Sequence, residues 1–192
     1  MHRIATLAAL ACALFLAGTQ SLLAQIPEPT PPPDPHVYSD AAMNFKAPAD
    51  AYLVGRGTPP LAQLGENLQT VAEWVIRPGK EDQRMIVLSM EAFSGPPDQW
   101  EAQFESQTHS AGDGVLIRGK TPMSLVNGMP ANFVEITSGS GFQAHKQYAV
   151  VWADGQRGIS LSLITRIGDV TAAQAKEVLH DVTAVRYPVD RP

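Results

Sequence analysis

The chain has 192 residues, enough for one domain with a leader and trimmings, and 44% of them are hydrophobic, enough for an ordinary core. Its formal net charge is −5, and no basic run stands out, which argues against a nucleic-acid partner and against tight electrostatic adsorption to anionic lipid. The single cysteine, Cys12, lies in the leader described next, so a processed chain has no disulfide, no thiol nucleophile and no thiolate metal site.

The first residues read as a secretory signal. His2 and Arg3 precede the apolar run Ile4 to Leu16, and Leu22-Leu23-Ala24 offers a small residue for cleavage after Ala24. The run is short for a membrane span and is followed by Gly18, Thr19, Gln20 and Ser21. Lipid attachment at Cys12 is disfavoured, because Ala9 stands where a leucine-like residue is preferred. The expected organisation is a signal peptide over 1–24, a proline-rich spacer over 25–37, one domain over 38–188 and a tail over 189–192. The spacer carries six prolines between Gln25 and Pro35, which exclude helix and favour an extended, stiff chain.

The domain opens with a short strand, Met43 to Ala47, ended by Pro48. Ala51 to Val54 is a second short strand, and Gly55-Arg56-Gly57-Thr58-Pro59-Pro60 is a loop. Its Gly-x-Gly lacks the third glycine of a phosphate cradle. Thr70 to Arg77 and Arg84 to Phe93 are strands joined by a turn at Pro78-Gly79. Apolar residues on both faces of the second predict cover on both sides.

Gly95-Pro96-Pro97-Asp98 opens a helix reaching about Thr108, with Trp100 and Phe104 on one side. Glu101 and Glu105 lie on the neighbouring side, as an acid/base or metal pair or as a solvated face; the solvated face is the expectation. His109, Ser110 and Asp113 fall in a loop, read as turn chemistry and not as a triad. Val115 to Gly119 and Met123 to Val126 read as two strands interrupted by Lys120-Thr121-Pro122. Asn127 to Pro130 is a turn and Ala131 to Thr137 a strand. Ser138-Gly139-Ser140-Gly141 is a hairpin tip without the spacing of a nucleophile elbow.

Lys146 to Arg186 is the most legible stretch. Asp154-Gly155 between two alternating runs predicts a two-residue hairpin loop, with Trp152 facing Arg157, Val150 facing Ile159 and Tyr148 facing Leu161. These share one face with Leu163, and the smaller Ala149, Val151, Ser160 and Ser162 take the other. An exposed Arg157–Trp152 contact at the tip would be worth about 0.5–1 kcal/mol. Thr171 and Gln174 have capping-box spacing, and Ala175, Val178, Leu179, Val182 and Val185 follow as a helical stripe.

No histidine pair has zinc-ligand spacing. Asp34, His36 and Asp40 are the nearest approach to a divalent-ion site, and a polar linker end is the expectation for them. No catalytic, cofactor or metal residue is assigned.

The element order, with Phe45-Lys46-Ala47-Pro48 closing the first strand, a helix starting near Pro97, Gly128-Met129-Pro130-Ala131, the Asp-Gly hairpin and a last helix, resembles the α/β/α sandwich of the PsbP/Mog-like superfamily and its DcrB/LpqN-like bacterial envelope members. The resemblance spans Tyr38 to Pro188. It implies an α+β fold, a twisted and largely antiparallel sheet flanked by helices, in a superfamily whose members mostly bind or scaffold. The function expected is therefore a non-enzymatic periplasmic or secreted protein that binds a protein partner or envelope component, without a cofactor. The alternatives are a carrier of a lipid or other apolar ligand between sheet and helix, and a hydrolase with a site assembled in space, such as His109 or His145 with a serine.

Overall fold

The computed structural model describes residues 33–187 apart from 58, 60, 113, 140–143 and 167. The leader 1–24 with Cys12, the stretch 25–32, Asp113, the tip residues Ser140 and Gly141, and the tail 189–192 lie outside them. Among the described residues, ten strands and two α-helices follow in order: β1 (Val37–Ser39), β2 (Met43–Lys46), β3 (Ala51–Arg56), β4 (Gln69–Ile76), β5 (Arg84–Ala92), α1 (Pro97–Ser110), β6 (Leu116–Ser124), β7 (Pro130–Ser138), β8 (His145–Ala153), β9 (Arg157–Arg166), α2 (Ala172–Leu179) and β10 (Val182–Ala184). Seven strands form one sheet in the order β3-β4-β5-β9-β8-β7-β6, and β1-β2-β10 form a second. The pairings within both sheets are antiparallel. Among the described residues no helix is long and apolar enough to cross a membrane.

The large sheet has two unequal faces. Trp74, Ile86, Leu88, Phe133, Tyr148, Val150, Leu161 and Leu163 face Ala175 and Leu179 of α2 together with Phe45 and Val182 of the small sheet. Phe45 and Trp74 meet edge to face at 5.4 Å, joining the two sheets. The Tyr148 hydroxyl donates to the Val170 carbonyl at 2.7 Å, pinning the entry to α2. On the opposite face, Val134, Ile136, Ala149 and Val151 receive Trp100 and Phe104 of α1. The fold is thus the expected α+β arrangement, with the small sheet sharing one layer with α2. The strand pair β4–β5 turns through Arg77 to Lys80 as expected, closed by Lys80 N–H to Arg77 C=O at 3.3 Å.

Four expectations are corrected. First, the hairpin turns about Gly155-Gln156, not Asp154-Gly155, and the pairs are Trp152↔Ile159, Val150↔Leu161 and Tyr148↔Leu163. Asp154 is buried and closes the turn: its Oδ1 accepts the amides of Gln156 (3.1 Å) and Arg157 (2.8 Å). Gly155 at φ +97° supplies the left-handed residue the shifted loop requires. A shift of two keeps every side chain on its expected face, since the side-chain period is two. Second, the helical stripe stops early. The capping box forms, with Gln174 N–H to Thr171 Oγ1 at 3.3 Å and Thr171 N–H to Gln174 Oε1 at 3.0 Å. The helix ends at Leu179, however, and Val182 and Ala184 alternate inward as a strand against β2, leaving Val185 exposed.

Third, β6 is one strand across Lys120-Thr121-Pro122, with a register shift between Ile117 and Gly119. Among the described residues it pairs only with β7, and an edge strand tolerates a residue with no N–H. Fourth, β3 absorbs Gly55 and Arg56, expected as loop, through a register shift between Leu53 and Gly55.

Candidate functional site

Helix α1 is anchored at its N-terminal half. Trp100 and Phe104 stand one turn apart and are both buried, with ring centroids 6.2 Å apart, and Phe93 closes on Trp100 at 5.6 Å. The Trp100 ring lies against the backbone of Gly158, where a Cβ would come within 2.5 Å of Cδ2 and 2.6 Å of Cζ3. Glycine is the residue that admits this approach.

Beyond Phe104, α1 carries no further buried residue toward its C-terminal end. Beneath it the sheet presents Ser89, Ser160 and Ser162, with Ser89 and Ser160 directly opposite each other across β5 and β9. Side chains this short do not fill the layer between sheet and helix. A cleft of about 530 Å³ results, open to solvent, with Leu68, Val87, Phe104, Val115, Ile136 and Ile164 as apolar wall. That volume falls within the range of small-molecule sites, about 300–1,000 Å³. Among the described residues, no charged side chain lines the cleft.

Its polar groups are ordered among themselves. Gln147 Nε2 donates to Ser162 Oγ at 3.0 Å, and the Ser162 and Ser160 hydroxyls lie 3.1 Å apart. Behind the helix wall, Glu91 is fully buried and accepts from the side-chain amides of Gln107, at 2.9 Å, and Gln103. A carboxylate accepts only, so Gln107 turns its nitrogen to Glu91. Burial raises the Glu91 carboxyl above its ordinary value, and the two amides only partly oppose this. A carboxylate inside β5 is not singled out by sequence reasoning; the available signal is one acid in the apolar run Met85 to Phe93.

Beside the cleft lies a smaller hollow of about 270 Å³, whose wall includes Lys80, Glu81, Met85, His145, Ile164 and Arg166. Ile164 belongs to both walls.

The candidates read from sequence are engaged elsewhere. Glu101 and Glu105 both pair with Lys120, at 2.8 Å for Glu105, and Asn132 donates to Glu101 at 2.9 Å. Hydrogen bonds to Glu101 and then to Glu105 raise the Lys120 ammonium. His109 and Ser110 belong to the last turn of α1 and not to a loop, a correction. Ser110 Oγ donates to Ser106 C=O at 2.9 Å, and His109 Nδ1 lies 2.7 Å from Glu105 C=O. Among the described residues no Ser–His hydrogen bond occurs, at His145 or elsewhere. Asp34 Oδ1 takes the His36 amide at 2.9 Å, while Asp40 serves Arg157, so the three do not converge. Among the described residues no group of three or more His, Cys, Asp or Glu is arranged to hold a metal.

Arg157 is the largest correction. It is not exposed beside Trp152 but buried, joined to Asp154 Oδ2 at 2.8 Å and Asp40 Oδ2 at 2.5 Å, with the Tyr187 ring 4.7 Å away. Burial alone would raise the Asp40 carboxyl, but Arg157 and the amides of Ala42 and Met43 outweigh it and hold it below its ordinary value. This cluster ties the hairpin, the β1–β2 loop and the segment after β10 together. Asp40 and Arg157 lie 117 residues apart in sequence, so no local spacing reveals the pair.

No family model matches the chain, and no curated protein matches it in sequence. Solved structures of similar fold include the following two. One is LpqN, described as involved in cell envelope biogenesis of Mycobacterium tuberculosis, at 17% identity over 77% of this chain and 87% of LpqN, with a TM-score of 0.50. The other is the solution structure of cyanobacterial PsbP (CyanoP) from Synechocystis sp. PCC 6803, at 12% identity over 83% of this chain and 98% of CyanoP, with a TM-score of 0.53. What the chain shares with both is its architecture, and it has the PsbP-like α+β fold.

Proposed function

We propose that this chain is a non-enzymatic binding protein of the cell envelope or its surroundings that holds a small amphipathic molecule under the C-terminal half of α1. The observation that carries this reading is the open cleft with its apolar wall and serine floor. The α2 side of the sheet is filled by large apolar side chains, so the cleft side is where a ligand has room. This favours the carrier reading over a partner-protein role, for which exposed Tyr52 and Val54 on edge strand β3 are the support.

Export rests on the leader His2 to Ala24, with the proline-rich stretch as a spacer. The description of LpqN as an envelope-biogenesis protein agrees with that setting. The test is native mass spectrometry of the mature protein taken gently from its host compartment. The expected result is a co-purifying small molecule that is absent from a Thr108→Trp variant, whose indole would occupy the cleft rim. A bare protein mass for the unaltered chain overturns the proposal.

A further inference from the structure

We infer that the cleft and the hollow beside it form one trough for a single-chain anionic amphiphile, its apolar tail in the cleft and its acidic head at Lys80, His145 and Arg166. This rests on the reading of the cleft as a ligand site and names the chemistry of the ligand. Ile164 lines both spaces, and Val87 and Met85, two residues apart on the same face of β5, line the cleft and the hollow in turn. The cleft end has no charged residue among its described lining, whereas the hollow has Lys80, His145 and Arg166 against one acid, Glu81.

His145 and Arg166 are direct partners across β8 and β9, which sets their Cβ atoms about 4.5–5.5 Å apart. Several cations elsewhere are matched by acids: Arg77 by Asp82, Lys120 by Glu101 and Glu105, Lys146 by Glu135, and Arg157 by Asp40 and Asp154. Among the described residues the side chains of Lys80, His145 and Arg166 have no ion pair. In a chain of net charge −5, a convergence of unmatched basic groups beside an uncharged, largely apolar cleft complements a molecule that is apolar along its length and negative at one end.

The test compares three probes with the same tail, each below its micellar concentration: dodecanoate, dodecan-1-ol and dodecyltrimethylammonium. Binding is measured by titration calorimetry, and amide shifts at Ser89, Ser160 and Gln147 locate the tail. Dodecanoate should bind tightest. Replacing the exposed Lys80 and Arg166 together by Gln should weaken it about three- to ten-fold, as expected for two solvent-exposed ion pairs, and leave dodecan-1-ol unchanged. Added salt should weaken dodecanoate alone. Equal binding of all three probes, or an unchanged dodecanoate affinity in the double variant, overturns the anionic class while the cleft reading stands. Absence of binding by every probe overturns both.

Discussion

Gly158→Ala tests how α1 is held over the sheet. Gly158 has no left-handed φ, so its backbone admits alanine, and a strand alanine alone would gain about 0.5–1 kcal/mol over glycine. The added Cβ, however, would stand 2.5 Å from Trp100 Cδ2. Trp100 is 1% exposed and flanked by the Phe93 and Phe104 rings, so a shift of its ring disturbs both contacts. Overpacking of this kind costs about 1–3 kcal/mol, so the net loss should be about 1–2 kcal/mol. For a domain of this size that lowers Tm by about 2–8 °C. Urea unfolding followed by far-UV circular dichroism measures it. In a Trp100→Leu background the steric conflict is gone, and Gly158→Ala should become neutral or stabilising, by up to about 0.5–1 kcal/mol. Two results refute the argument that this contact positions the helix. One is a Gly158→Ala protein as stable as the original; the other is a penalty that persists in the Trp100→Leu background.

Buried charges give the remaining outcomes. Arg157→Met should cost about 3–5 kcal/mol in urea unfolding, because it leaves Asp40 and Asp154 buried without their cation. Asp40 is held below its ordinary value of 3.8, so its share of stability is present above that value and is lost as pH falls through the lower folded value; Asp40→Asn should remove that acid-side decline, read from urea midpoints across pH. Glu91 has the opposite sign. Its carboxyl is raised above 4.5, so the stability it contributes is complete below that value and is lost as pH rises through the raised folded value. Glu91→Gln should flatten stability against pH in that window, and an unchanged slope would show that burial of Glu91 does not govern it.

Local elements, and the side of the sheet each residue takes, are legible in the sequence because they depend on short periods. Alternation along β8 and β9 assigns Tyr148, Val150, Leu161 and Leu163 to one face and Ala149, Val151, Ser160 and Ser162 to the other, and the two-residue error in register leaves that intact because the period is two. The cap at Thr171 and the Trp100–Phe104 stripe are also local, being set by spacings of three and four. Contacts between distant segments settle the rest. Whether Val182 continues a helix or begins a strand depends on β2, far away in sequence, offering an edge to pair with. Arg157 stands at a hairpin end, where exposure is the ordinary outcome, and is buried because Asp40 and Tyr187 close over it. The serines of β9 are visible in sequence as a small, polar face. That they floor a cleft follows from where α1 crosses them, which Gly158 and Trp100 fix by a contact between strand and helix that no sequence period encodes.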